Sequence, residues 1–150
     1  MPERPGFEIP PRVTPGDDNG YLELMTKAIF QAGFSWQVVN DKWPDFVQAF
    51  DGFEVDRVAA YGPEDVDRLL ANPGIVRNGR KIEATIANAS QLQGIRREFG
   101  SFARYLRSLD DLPYRERQKV LSKQFKNLWR TSVFVFLWCV NEDVPDWEDR

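Results

Sequence analysis

Histidine is absent from this sequence of 150 residues, and cysteine occurs only once, as Cys139. The lack of histidine excludes every Ser-His or Cys-His nucleophile pair and every zinc site that uses imidazole. A single cysteine excludes an intramolecular disulfide. Any chemistry of this protein must therefore use carboxylates, tyrosine, lysine or binding energy alone.

Long apolar runs are also missing. No stretch reaches the roughly 18 consecutive apolar residues of a membrane-spanning helix. The N-terminal segment, which carries Glu3, Pro5 and Glu8, lacks the basic and then apolar order of a secretory signal. We therefore expect a cytoplasmic protein that does not associate with a membrane.

The composition is typical of one globular domain. Apolar residues make up 42% of the chain and aromatic residues 13%, which is enough for a hydrophobic core at this length. No sustained alternation of apolar and polar residues is visible, so the predicted fold class is all-α, a compact helical bundle. An irregular arm rich in proline and glycine is expected over 1–19, followed by a single helical domain over 20–150.

Helical spacing and stop signals predict the individual helices. A first helix is expected from residue 19 or 20 to Gly33, because residues 21, 24, 25, 28 and 32 place apolar side chains on one face. Trp43-Pro44 is expected to open the second helix. Further helices are predicted over 55–59, 63–71, 80 to 94 or beyond, 99–106, 115–126 and 128–140. The last of these is apolar nearly all round, which predicts a buried central helix.

Charge is distributed unevenly along the chain, although the net charge is only −3. Residues 1–76 contain 6 basic and 13 acidic residues. Residues 77–130 contain 13 basic and 5 acidic residues, and residues 131–150 contain 1 basic and 5 acidic residues. A basic middle segment indicates one cationic face, and local potential rather than total charge steers a polyanion such as DNA. The alternative is a set of amphipathic helices whose basic faces are simply solvated.

The segment from about residue 63 to 91 predicts a helix-hairpin-helix. Two helical patterns flank a turn in which Gly74 and Gly79 are expected to provide positive φ or close backbone approach, while Ile75 and Val76 pin the turn. Exposed amides at such a turn bind anions, and nearby basic side chains add charge. The predicted phosphate-binding residues are Gly74, Val76, Arg77, Gly79, Arg80 and Lys81. The alternative is an ordinary helix corner whose basic residues face water.

Two sequence motifs, which occur in the same order along the chain, resemble motifs of the 3-methyladenine DNA glycosylase I family. Residues 31–36 read QAGFSW, which is similar to the family's Q-A-G-L-S-W. Residues 72–82 read NPGIVRNGRKI, which resembles the family's D-x-G-I-I-R-N-R-x-K-I hairpin, and IANA follows at 86–89 in the same register. The resemblance covers about residues 21–89, with a weaker continuation over 121–147.

The resemblance implies a protein that grips duplex DNA by its backbone, flips an alkylated adenine into a pocket and hydrolyses its N-glycosidic bond. Trp36 would then be the aromatic wall on which the base stacks, with Gln31 and Ser35 shaping the pocket. Without the motif, Trp36 would be interpreted as a core aromatic residue. Tyr21 is a further pocket candidate or else a core residue, whereas Glu23 and Lys27 are expected to be solvated.

Departures from the family pattern are equally informative. The family has a carboxylate three residues before the glutamine, where it binds the alkylated base, and this chain has Ala28 there. The family's N-terminal segment, with a zinc cysteine, a Tyr-His pair and Trp-Gly, has no counterpart in residues 1–20. Asp143 and Trp147 replace two further zinc ligands. We therefore predict neither a metal site nor a cofactor, and we assign no catalytic residue.

Three functional hypotheses follow from the sequence. The first is a divergent glycosylase of base excision repair, whose partner is duplex DNA containing 3-methyladenine or a related alkylated base. The second is a binding module that recognises DNA or a lesion without catalysis, because Ala28 replaces the carboxylate. The third is a helical scaffold whose basic surface meets a protein partner.

Overall fold

The computed structural model describes residues 9–150, which form eight α-helices and no strand. The predicted all-α class is confirmed. The helices are α1 (Asp18–Gln31), α2 (Trp36–Ala49), α3 (Val55–Ala59), α4 (Pro63–Leu70), α5 (Gly79–Phe99), α6 (Phe102–Ser108), α7 (Tyr114–Gln124) and α8 (Arg130–Cys139). Short 3₁₀ turns lie at Asp51–Phe53 and Trp147–Asp149. Part of the predicted arm, residues 1–8, lies outside the described residues.

The ends of α1 follow from its capping residues. The Asp17 side chain accepts a hydrogen bond from the Gly20 amide at 3.1 Å, so the helix begins at Asp18, slightly before the predicted start. Gly33 follows the helix with a φ of 67°, a left-handed conformation that favours glycine. The predicted stop at Gly33 therefore has its expected physical cause.

The start of α2 differs from the prediction. The helix begins at Trp36 rather than Trp43, because the Ser35 hydroxyl caps it by accepting from the Val38 amide at 3.2 Å. Pro44 consequently lies inside the helix, at an exposed position. Proline lacks the amide that would bond to the Asn40 carbonyl, and both Pro44 and Asn40 are exposed residues, so the loss of this bond falls on the solvent side of the helix.

Two other sequence predictions need correction at helix ends. Phe99 does not open the sixth helix but ends α5, because Gly100, with a φ of 91°, breaks the chain and Ser101 caps α6. The helical spacing over 63–71 predicts that Leu70 is buried together with Val66 and Leu69, yet Leu70 is 40% exposed. It is the last residue of α4, where the helix turns away from the core.

The core is formed around α1 and α8. α1 packs against α2, α5 and α8, and most of α8 is buried from Ser132 onward, as its apolar sequence predicts. Although α8 is so apolar, neither it nor any other helix within residues 9–150 is long and apolar enough to cross a membrane. Stacked aromatic rings from α2 and the following turn fill the space beneath α1, with centroids 4.9–6.4 Å apart: Trp43, Phe46, Phe50 and Phe53.

The chain before α1 is held against the end of α8. The Val13 amide donates to the Cys139 carbonyl at 2.9 Å, and the Trp138 indole donates to the Pro10 carbonyl at 2.9 Å. The Arg12 guanidinium lies 4.4 Å from the centroid of the Trp138 ring. These contacts fix residues 9–14 as an extended segment beside α8, although the segment has no secondary structure of its own.

Asn88 of α5 is the polar residue on which the junction between α5 and the end of α7 depends. It is buried, its amide group donates to the Lys126 carbonyl at 3.1 Å, and its carbonyl oxygen accepts from the Lys126 amide at 2.7 Å. The side chain therefore satisfies both polar groups of one backbone residue.

We predict that Asn88→Ala lowers the free energy of unfolding by about 1–3 kcal/mol, because the Lys126 amide and carbonyl both lose their hydrogen bonds to a buried side chain. Gln93→Ala on the same helix removes only an exposed hydrogen bond to Asp56. This variant should change the free energy of unfolding by less than about 0.5 kcal/mol. Urea unfolding of both variants measures the difference. Equal stabilities would show that Asn88 does not secure the junction.

Candidate functional site

A cavity of about 380 Å³ lies where the end of α1 meets the start of α2. Residues 9–11 form one wall, and Cys139 at the end of α8 closes another side. The helical lining residues are Leu24, Lys27, Ala28 and Gln31 from α1, and Trp36, Gln37, Asn40 and Asp41 from α2. The cavity is thus a mixed site, with an aromatic wall, amide groups and two charged side chains.

Three of the predicted pocket residues meet in this cavity: Gln31, Trp36 and Ala28. Gln31 is only 4% exposed, and its amide nitrogen lies 3.4 Å from the Asn40 side-chain oxygen. Trp36 is half-buried at the first position of α2 and also packs against the core. Ala28 contributes a methyl group where a longer polar side chain would reach into the cavity.

The other two predicted pocket residues lie elsewhere. Ser35 is exposed and caps α2 through its hydroxyl, so it positions Trp36 without lining the cavity. Tyr21 is 2% exposed and packs edge-on against Phe102, with ring centroids 5.0 Å apart. Burial raises the pKa of Tyr21, and its hydroxyl does not reach the cavity. Seven residues of helix place it about 10 Å from Ala28 along α1.

Lys27 lines the cavity, contrary to the expectation that it is solvated. Helical spacing is the signal that could have identified it, because Lys27 and Gln31 are four residues apart and share a face. Burial lowers the pKa of Lys27. Cys139, also unassigned from the sequence, has its pKa raised by burial to about 11.

Within residues 9–150, no group of three or more His, Cys, Asp or Glu side chains is arranged to hold a metal ion.

The predicted hairpin forms a tight turn between α4 and α5. Ile75 is buried, as expected, and Val76 is half-buried. The Asn72 side chain accepts from the Gly74 amide at 2.8 Å, and Lys42 of α2 donates to the Pro73 carbonyl at 3.1 Å. These bonds tie the turn both to itself and to α2.

The two hairpin glycines do not act through positive φ, since neither adopts it. Gly74 is needed for close approach: a Cβ at this position would lie 3.1 Å from both Asp45 and Asn72 side-chain atoms. Gly79 has more room, because a Cβ there would meet only the Leu70 side chain, at 3.7 Å. Gly74 is therefore required because a larger side chain would not fit, whereas Gly79 is not required for that reason.

Lys81 is placed differently from the prediction. Its ammonium donates to the Ala32 carbonyl at 2.8 Å and to the Phe30 carbonyl at 3.3 Å, both at the C-terminal end of α1. Burial lowers its pKa. Lys81 therefore binds the negative end of the α1 dipole rather than projecting from the hairpin, and it joins the start of α5 to the helix that lines the cavity.

Arg77 and Arg80 project from the hairpin into solvent. Asn78 caps α5 by accepting from the Lys81 amide at 3.1 Å. In the part of the chain that the structure describes, no hydrogen-bond partner is found for four amides at this turn: Val76, Arg77, Gly79 and Arg80. Free amides at a helix N-terminus beside two exposed guanidinium groups form a surface suited to an anion.

Comparisons with known proteins agree with this architecture. The family model for methyladenine glycosylase matches residues 12–132. DNA-3-methyladenine glycosylase 1 of Escherichia coli (strain K12) is 44% identical over 73 residues, which are 49% of this chain and 39% of that protein. The DNA-3-methyladenine glycosylase of Haemophilus influenzae is 36% identical over 59 residues, 39% of this chain and 32% of the relative. The matches thus span less than half the length of either relative.

Solved structures extend the likeness to most of the chain. A variant of 3-methyladenine DNA glycosylase I in complex with 3-methyladenine superposes with a TM-score of 0.76 at 28% identity, covering 87% of this chain and 79% of the other. The 3-methyladenine DNA glycosylase I of Staphylococcus aureus superposes with a TM-score of 0.75 at 28% identity, covering 85% of this chain and 78% of the other. Because the family model spans most of the helical bundle, the chain belongs to the methyladenine glycosylase family.

Proposed function

We propose that this protein binds duplex DNA through the α4–α5 hairpin, receives an alkylated base in the cavity and hydrolyses the N-glycosidic bond of that base. The observation that carries the proposal is the link made by Lys81. Its ammonium holds the start of α5 against the end of α1, so the anion-binding surface and the cavity belong to neighbouring parts of one rigid unit.

The cavity has the features that a flipped base requires. Trp36 offers an aromatic face for stacking, and the Gln31 amide, held near Asn40, offers polar groups to a base edge. A base leaves the duplex only when pocket contacts offset the lost stacking and pairing, which are worth a few kcal/mol. A half-buried tryptophan beside a buried amide provides both kinds of contact.

The hairpin supports binding to the DNA backbone. Four turn amides without an internal partner and the exposed Arg77 and Arg80 match the geometry by which helix N-termini bind phosphate. Such contacts carry no sequence information, so they suit a protein that must search duplex DNA for a rare modified base.

The second candidate function is a binding module without catalysis. Its supporting observation is the lining of the cavity, where Ala28 brings only a methyl group and the sole carboxylate among the described lining residues is the exposed Asp41. Catalysis nevertheless needs no strong base for N3-alkylated adenine, because its positive charge makes it a good leaving group and binding supplies much of the acceleration. Measured base release separates the two candidates.

We predict that Trp36→Ala reduces the release of methylated bases from alkylated duplex DNA by about 10- to 100-fold, because base stacking on an aromatic side chain is worth ~1–3 kcal/mol. Trp36→Phe should retain most of the activity. Trp129→Ala is the matched control, since Trp129 is 66% exposed and lies outside the cavity lining. Free bases are measured by chromatography under single-turnover conditions.

An equal loss in Trp36→Ala and Trp129→Ala would contradict the assignment of the cavity. If none of the proteins releases a base while the wild type still binds DNA in a salt-sensitive manner, the glycosylase proposal fails and the binding module is established.

We predict that the double variant Arg77→Ala/Arg80→Ala weakens duplex binding and lowers the slope of log affinity against log salt by about 2, since each lost phosphate contact removes ~0.9. Arg97→Ala/Arg104→Ala is the control with the same charge change. These exposed arginines lie near the other end of α5, about 30 Å from the hairpin at 1.5 Å per residue. Equal slopes for the two double variants would refute the hairpin assignment.

We predict a different outcome for Lys81→Met. Because the Lys81 ammonium binds the Phe30 and Ala32 carbonyls, its loss should lower the free energy of unfolding by about 1–2 kcal/mol. The salt slope of DNA binding should change by less than in Arg80→Ala. Parallel thermal unfolding and fluorescence titrations test this, and a slope change equal to that of Arg80→Ala would place Lys81 on the DNA backbone after all.

A further inference from the structure

The cavity has a buried floor and an exposed mouth. Its buried lining residues form the floor: Ala28, Gln31 and Cys139. Its exposed lining residues form the mouth and come from the segment before α1 and from α2: Ile9, Pro11, Gln37, Asn40 and Asp41. A flipped base enters a pocket ring first, while its sugar stays joined to the DNA strand outside. A base in this cavity therefore has its ring near the floor and its sugar at the mouth.

The mouth lies beside the α4–α5 hairpin. Lys42, the residue after Asp41, donates to the Pro73 carbonyl at 3.1 Å. Farther along α2, the Asp45 side chain lies 3.1 Å from the position that a Cβ at Gly74 would occupy. The part of α2 that carries the mouth is thus packed against the turn whose amides suit a phosphate. A nucleotide with its phosphate at the hairpin and its base in the cavity has its sugar at the mouth.

Asp41 is the only carboxylate among the described residues that line the cavity. Its Oδ1 accepts a hydrogen bond from the Gln37 side chain at 2.9 Å, and no ion pair found across residues 9–150 includes it. The ammonium of the other charged lining residue, Lys27, lies 5.5 Å from the centroid of the Trp43 ring, and Trp43 lies outside the lining. A negative charge, oriented by a neutral amide, therefore stands at the mouth.

From this arrangement we propose that Asp41 contacts the deoxyribose of the flipped nucleotide and stabilises the positive charge that develops there as the N-glycosidic bond breaks. The inference rests on the proposed function, because it names a catalytic residue for the same cavity. It assigns the carboxylate of this site to α2 and to the sugar, whereas on α1 Ala28 offers the base only a methyl group.

The course of the reaction explains what a carboxylate does at this place. When the C1′–N bond of an N3-alkylated adenine breaks, its electron pair stays on the base, which leaves as a neutral molecule, and the sugar takes the positive charge. A carboxylate beside the sugar is favourable in the transition state more than in the ground state, where the charge lies on the base. Water then adds its oxygen to C1′, and the carboxylate accepts a proton from that water and releases it to solvent.

The same charge has opposite effects on binding and on catalysis. Phosphates bound at the hairpin lie near the mouth, and the Asp41 carboxylate repels them weakly because solvent screens an exposed charge. Removal of the charge should therefore slow base release without weakening the binding of DNA. A side chain that only maintained the shape of the mouth would have a different signature, because its replacement would weaken both.

The test is Asp41→Asn, which removes the charge, keeps the shape of the side chain and can still accept from Gln37. On methylated duplex DNA under single-turnover conditions, we expect base release about 10- to 100-fold slower than in the wild type. Fluorescence titration with unmethylated duplex should give equal or tighter binding. Asp67→Asn is the matched control, because Asp67 is exposed on α4 and lies outside the cavity lining. This control should release bases at the wild-type rate.

A second variant, Asp41→Ala, tests whether the mouth supplies a carboxylate as such. Added formate should restore part of the lost rate, since a small carboxylate can occupy the space that the side chain leaves. Chloride at the same ionic strength should not restore it. In Asp67→Ala the two salts should have the same effect on the rate.

Four results would each overturn the inference while base release by the wild type upheld the proposed function. They are a wild-type rate in Asp41→Asn, an equal loss in Asp67→Asn, weaker binding of Asp41→Asn to unmethylated duplex, and no greater rescue of Asp41→Ala by formate than by chloride. If the wild type releases no base, the proposed hydrolysis and this role of Asp41 fail together.

Discussion

The arrangement of the site depends on the Lys81 ammonium, which binds two carbonyl groups at the C-terminal end of α1. The last carbonyls of a helix lack partners within the helix and carry partial negative charge, so the half-buried Lys81 cation is an effective cap. Here the cap comes from the first turn of another helix. One side chain therefore provides hydrogen bonds to the free carbonyls at the end of α1 and sets the position of the hairpin relative to the cavity.

A second constraint closes the cavity from the side of the N-terminal segment. Residues 9–14 have no secondary structure, yet backbone bonds to the end of α8 and the Arg12–Trp138 contact hold them in place. Pro10 and Pro11 then form a wall of the cavity. Because proline has little conformational freedom to lose, a proline-rich segment can form such a wall at a small entropic cost.

The cavity shows how a family scaffold is adapted without a change of fold. Trp36 and Gln31 keep the aromatic and amide elements of the motif, whereas Ala28 brings only a methyl group and Lys27 adds a basic side chain to the lining. These four residues lie within two turns of α1 and the first residue of α2. Neighbouring positions on one helix therefore contribute much of the lining of the cavity, while the core residues of the same helix maintain the packing.

The sequence by itself determined the helical class, most helix ends and the order of the two motifs, because spacing, caps and glycine stops act locally. It also placed Trp36, Gln31 and Ala28 on adjoining segments, and the structure brings these three together in one cavity. Tyr21, Ser35 and Lys81 could not be assigned in this way, because a one-dimensional pattern does not say which side of a helix meets which neighbour. Only the tertiary structure buried Tyr21 against Phe102, directed Lys81 to the carbonyls of α1, and turned Lys27 into the cavity that α2 and α8 enclose.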